Sequence, residues 1–144
     1  MKRLAKKLVA LLSAALMLSA ATAYAADAEL VSCKAYMKNG TAITTSRFLR
    51  NAARFEMEIK NSPTDDSSFS MILVSFDSNG ICKGVEILEP VPSSETGATK
   101  LTMPVNGSGF TGVSMVQCIA VEIDETGMYP LFETVNQLNE KGWS

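Results

Sequence analysis

Apolar and polar residues alternate along much of this chain with the two-residue period of a half-buried β-strand. The pattern is plainest from Arg54 to Lys60, where Phe55, Met57 and Ile59 alternate with Glu56, Glu58 and Lys60. One face of that segment is expected to meet a core and the other to stay wet. Phe69 to Phe76 (FSMILVSF) is nearly continuous apolar sequence instead, as a central strand covered on both faces requires. Asp77-Ser78-Asn79-Gly80 then predicts a turn, because Asn-Gly adopts positive φ at low cost. Ile81 to Leu88 reads as the return strand of that hairpin.

Four more strands are expected from the same kind of signal. Leu30 to Met37 stops at Lys38-Asn39-Gly40, and Ala98 to Val105 stops at Asn106-Gly107-Ser108-Gly109. In Val113 to Ile123, Val116, Cys118 and Ala120 share one face while Gln117, Ile119 and Val121 share the other. Tyr129 to Val135 reads as a last strand, although Leu131, Val135 and Leu138 also fit a helical stripe. Ser46 to Ala53 reads as a helical turn with Phe48, Leu49 and Ala52 on one side. Polar connections fill the gaps, among them Asn61 to Ser68 with its Asp65-Asp66 pair, and Glu89 to Gly97 with Pro90 and Pro92. About seven short antiparallel strands punctuated in this way predict an all-β sandwich.

The first 25 residues depart from this pattern. Lys2, Arg3, Lys6 and Lys7 precede an uncharged run from Leu8 to Leu18, and Ala23-Tyr24-Ala25 places small residues at −3 and −1 of a cleavage site. That is the layout of a secretory signal peptide. The run falls short of the roughly 20 residues that a membrane span requires. Cleavage would leave residues 26–144 as one domain with 9 basic against 15 acidic residues, so the net charge moves from −2 to −6. An acidic domain is a poor partner for nucleic acid or anionic lipid, both of which need a basic face. No second long apolar run follows, so no membrane insertion is expected after cleavage, and the product is expected to be secreted or held at the cell envelope by a partner.

The hairpin Phe76-Asp77-x-x-Gly80 and the later Val116-Gln117-Cys118-Ile119-Ala120-Val121-Glu122 carry a resemblance, together with Met128-Tyr129-Pro130-Leu131, Asn51-Ala52 and Asn61. The chain resembles the immunoglobulin-like modules of extracellular proteins of Clostridia and related Firmicutes, often found beside carbohydrate-active enzymes. It departs from them at Gln117, Val121 and Glu122, where Lys, Trp and Asp are usual. The resemblance implies a single immunoglobulin-like sandwich over most of residues 30–135 and an accessory role. It supplies no catalytic residues.

Candidate chemistry is sparse. With no histidine, Ser-His-Asp and Cys-His catalysis and the ordinary histidine zinc sites are excluded. Cys33, Cys82 and Cys118 allow one disulfide with three pairings open, or three reduced thiols packed as small hydrophobes. Asp77-Ser78-Asn79-Gly80 lacks the terminal acid of a calcium loop. Gly107-x-Gly109-x-x-Gly112 spells a dinucleotide fingerprint but runs into a strand rather than a helix, so it reads as a flexible turn. Tyr36 and Tyr129 are candidates for ligand contact, whereas Trp143 sits at a terminus expected to fray. No metal or cofactor is expected. The resulting expectation is a secreted, non-enzymatic binding module with a protein or glycan partner. A structural or self-assembling envelope subunit is the alternative, followed by a small secreted enzyme or inhibitor with an unrecognised site.

Overall fold

A computed structural model describes residues 28–62, 67–133 and 135–144. The signal-peptide reading and the Asp65-Asp66 pair lie outside the described residues. Two antiparallel sheets are packed face to face, as an all-β sandwich requires. The chain runs through β1 (Glu29–Met37), β2 (Ala42–Ile43), a 3-10 helix (Ser46–Asn51), β3 (Ala52–Lys60), β4 (Ser68–Phe76), β5 (Cys82–Ile87) and β6 (Val91–Pro92). It continues through β7 (Ala98–Pro104), a second 3-10 helix (Gly107–Phe110), β8 (Met115–Asp124), β9 (Gly127–Pro130), β10 (Asn136–Asn139) and β11 (Gly142–Trp143). One sheet has the order β2-β1-β3-β7. The other has the order β11-β10-β8-β4-β5, with β6 also pairing with β4 and β9 with β8.

Alternation decides which side chains meet between the sheets. In β3 the inward residues are Phe55, Met57 and Ile59, and in β7 they are Thr99, Leu101 and Met103. Phe69, Met71 and Leu73 of β4 and Val116, Cys118 and Ala120 of β8 close the core from the other sheet. β4 is central in its sheet, between β8 and β5 with β6, and is buried on both faces: Phe69, Met71 and Leu73 meet the other sheet, and Ile72 packs in an apolar cluster on the outer face. A second apolar cluster, Ile72, Ile119 and Val121, occupies the outer face of the larger sheet, and half-buried Val74, Val85, Ile87, Ile123 and Met128 pack against it.

The β4–β5 turn forms through its own side chain. Asp77 Oδ1 accepts from Asn79 N at 2.8 Å and from Ile81 N at 3.0 Å. Only Gly80 takes positive φ, +77°, while Asn79 stays in the ordinary region. At the far end a buried amide holds two connections together. Asn61 Nδ2 donates to the Ser94 carbonyl at 3.0 Å, and Asn61 Oδ1 accepts from Thr99 Oγ1 at 2.7 Å.

Four expectations are corrected. Among the described residues, Tyr129 to Val135 is not one continuous strand, and no helix follows β9. Leu131 is buried at a bend just after β9, its amide bonded to the Ala120 carbonyl, and Leu138 is buried in β10, while Val135 is exposed. In the first 3-10 helix Leu49 is buried but Phe48 is 47% exposed, because three residues per turn turn the Phe48 side chain outward. Trp143 is not frayed: Nε1 donates to the Ile43 carbonyl at 3.1 Å, and its ring meets Phe55 edge-on at 6.5 Å. Within the Gly107 to Gly112 stretch, Gly107–Phe110 is a docked 3-10 helix, and only Thr111 and Gly112 form a turn. The helix delivers Phe110 into the core, 5.9 Å from the Phe55 ring.

Candidate functional site

The outer face of the four-stranded sheet is built from the polar half of each alternating strand. Strand register fixes its rows: Tyr36 beside Arg54 and Pro104, Lys34 beside Glu56 and Thr102, Ser32 beside Glu58 and Lys100. Arg54 lies over the Tyr36 ring with its guanidinium carbon 4.5 Å from the centroid, a cation–π arrangement. The same Arg54 donates through Nε to Glu56 Oε1 at 3.0 Å, and Lys100 Nζ lies 3.6 Å from Glu56 Oε2. Such partly shielded surface ion pairs contribute little stability, on the order of 1 kcal/mol each. Their effect is geometric: Glu56 and the ring of Tyr36 are held in fixed orientations.

Between these rows lies a small groove of about 150 Å³, lined by Ser32, Lys34, Tyr36, Glu56, Glu58 and Lys100. That is well under the roughly 300–1,000 Å³ of pockets that enclose a small molecule. The groove therefore suits an edge or a single unit of a longer ligand. It presents ammonium and hydroxyl donors, carboxylate acceptors and one amphipathic ring, a set that matches the hydroxyls of a saccharide or the polar groups of an extended peptide.

Of the sequence candidates, Tyr36 belongs to this groove. Tyr129 belongs to β9 of the other sheet, where its hydroxyl hydrogen-bonds Thr126 Oγ1 at 2.7 Å. The two tyrosines thus serve separate surfaces. Residues that sequence reasoning missed are Arg54, Glu56, Glu58 and Lys100. The outward register of β3 was legible in its alternation, but its alignment with Tyr36 and Lys100 was not.

A second polar cleft, about 390 Å³, is lined by Ser67, Ser68, Ile123, Asp124, Glu125 and Thr126. Asp124 of this cleft is engaged by the chain itself, and so is the neighbouring Glu122, which bonds the lining residue Ser67. Glu122 Oε1 accepts from Ser67 Oγ at 2.6 Å. Asp124 Oδ1 accepts from Thr126 Oγ1 at 2.6 Å and from the amides of Thr126 and Gly127 at 2.7 and 3.1 Å. These hydrogen bonds, with Thr126's hydroxyl foremost, hold the Asp124 carboxyl below its usual range. Among the described residues no group of three His, Cys, Asp or Glu side chains is placed to hold a metal ion.

The three cysteines occupy different settings: Cys118 buried, Cys33 half-buried, Cys82 exposed. The interaction of the Cys118 thiol, as donor, with Cys33, with burial added, holds that thiol well above the ordinary thiol range. Among the described residues no helix is long and apolar enough to cross a membrane.

No family model matches the chain, and no curated protein matches it. A similar solved structure is the crystal structure of the C-terminal domain of wzt, 12% identical, with a TM-score of 0.49 over 81% of this chain and 70% of that one.

Proposed function

We propose that this chain is a secreted, non-enzymatic immunoglobulin-like module that acts by binding at the bacterial cell envelope, with the outer face of the four-stranded sheet as its contact surface. The observation that carries this reading is the groove between β1, β3 and β7, where Tyr36 is held by Arg54 and faces an ordered set of donors and acceptors. Strand order supports the immunoglobulin-like part. β1-β3-β7 against β10-β8-β4-β5 follows the A-B-E against G-F-C-C′ order of that architecture. The occupant proposed is one unit of an envelope saccharide.

Saccharide and peptide arrays probed with the purified protein test the reading. Binding to an envelope saccharide that falls at least tenfold in Tyr36→Ala and Lys100→Glu, but not in Tyr129→Ala, is the expected result. A peptide signal with the same dependence would exchange the ligand class while keeping the surface. Silence on both arrays and no retention on an envelope fraction would refute a binding role. Export is tested separately, by N-terminal sequencing of protein recovered from the culture medium, with a new terminus at Ala26 expected.

The half-buried Val74, Val85, Ile87, Ile123 and Met128 on the outer face of the larger sheet favour a second reading, a self-assembling envelope subunit. Sedimentation of the purified protein distinguishes it: a concentration-dependent oligomer, rather than a monomer, would move the function there.

A further inference from the structure

Cys33 and Cys118 come from opposite sheets and meet in the core. Cys33 lies inward on β1, in register with buried Met57 of β3. Cys118 lies inward on β8, in register with buried Leu73 of β4, and is 1% exposed. Cys118 belongs to the apolar core cluster, Cys33 packs against that cluster from the facing sheet, and the two side chains lie near enough to interact. Cys82 is remote from this arrangement: it opens the edge strand β5, exposed, with Sγ 3.7 Å from the Gly84 carbonyl.

We propose that Cys33 and Cys118 are a disulfide-forming pair that pins the two sheets together when the chain meets a disulfide oxidant, with Cys82 remaining as the unpaired thiol. Two inward thiols that face one another across the same core can approach the ~2 Å sulfur–sulfur bond by side-chain rotation with small adjustment of the strands. The half-buried Cys33 is the sulfur an oxidant can reach. Its thiolate attacks the oxidant's disulfide, forming a mixed disulfide and releasing one oxidant thiol. Cys118 then gives up its proton and displaces the second oxidant thiol, leaving the Cys33–Cys118 bond. Two protein thiols are oxidised and one disulfide of the oxidant is reduced to two thiols. Deprotonating Cys118 in its apolar setting slows the second step, so bridge formation is faster during folding than in the finished sandwich.

The test refolds the purified protein with oxidised and reduced glutathione, alkylates it in denaturant without reduction, and maps its peptides by mass spectrometry. The expected product is lighter by two hydrogens, joins the Cys33 and Cys118 peptides, and is alkylated at Cys82 alone. Three alkylated cysteines, or a bridge through Cys82, would overturn the proposal. Thermal denaturation gives an independent readout. Because the bridge closes a loop of roughly 85 residues, reductant should lower the midpoint by roughly 10–20 °C. The same drop is expected in Cys82→Ser and none in Cys33→Ser; a drop that persists in Cys33→Ser refutes the pairing. If Cys33→Ser does not fold, the peptide map of the unaltered protein decides alone. The refolding arm does not depend on export, so a cytoplasmic location would leave the pairing standing.

Discussion

Gly107→Ala should be the most damaging single-methyl change in the region from Gly107 to Gly112, and geometry gives its size. A Cβ at Gly107 would stand 2.1 Å from the Arg50 carbonyl oxygen, 2.6 Å from its carbon and 3.0 Å from the Ala52 oxygen. Ordinary contact begins near 3.4 Å, so the second 3-10 helix would have to retreat by over an ångström from the first. The obstacles are backbone atoms, which cannot rotate away. Retreat would also withdraw Phe110 from Phe55. Overpacking ordinarily costs about 1–3 kcal/mol, and a rigid double obstacle places this case at or above about 3 kcal/mol. For a domain of this length that is a fall in melting temperature of about 12 °C or more. The neighbouring glycines are internal controls. Gly109 has nothing within 4 Å and an ordinary φ, so Gly109→Ala should stay within about 0.5 kcal/mol of the parent. Gly112 is equally open but sits at φ +77°, so its alanine variant should lose about 1–2 kcal/mol to backbone strain. Urea denaturation followed by the strand signal in circular dichroism measures all three. Equal losses at Gly107 and Gly109 would refute the close-approach reasoning.

Asn61→Leu should lose about 1–3 kcal/mol in urea denaturation, because it leaves the buried Thr99 hydroxyl without its acceptor and takes one of two donors from the Ser94 carbonyl. Thr45→Val should be neutral or stabilise by about 1 kcal/mol, since the buried Thr45 Oγ1 has no hydrogen-bond partner among the described residues and the replacement keeps its shape. The Asp124 carboxyl is held lower in the folded than in the unfolded chain, so its contribution is present above about pH 4 and disappears as pH falls through its folded value. Asp124→Asn should accordingly flatten the acid limb of a melting-temperature profile below about pH 4; an unchanged limb would remove Asp124 from the acid response.

Strands that carry their own signal were legible in the sequence. The alternation of Phe55, Met57 and Ile59 with Glu56, Glu58 and Lys60, the apolar run of β4 and the Asp77-to-Gly80 turn are all local, because a two-residue period and a short turn need no knowledge of distant residues. Short segments escaped this reading. β2, β6 and β11 have two residues each, and nothing in two residues distinguishes a strand from a connection until a neighbour pairs with it. Leu131 and Leu138 showed the same limit in another form, since their spacing suits a helix, while the pairing of β10 with β8 puts Leu138 on a strand and the Leu131 amide bonds the Ala120 carbonyl just beyond β9.

The candidate site and the thiol pair depend on register between strands far apart in the chain. Tyr36, Arg54 and Lys100 come from three strands of the smaller sheet, and Cys33 and Cys118 from the two facing sheets. Trp143 reaches Ile43 across a hundred residues. By itself the sequence determined that the chain builds alternating strands around an apolar core, and that histidine chemistry is absent. The tertiary structure decided which outward side chains share a surface and which thiols meet. A strand's faces follow from its own periodicity, but its neighbours are selected only when the whole core closes.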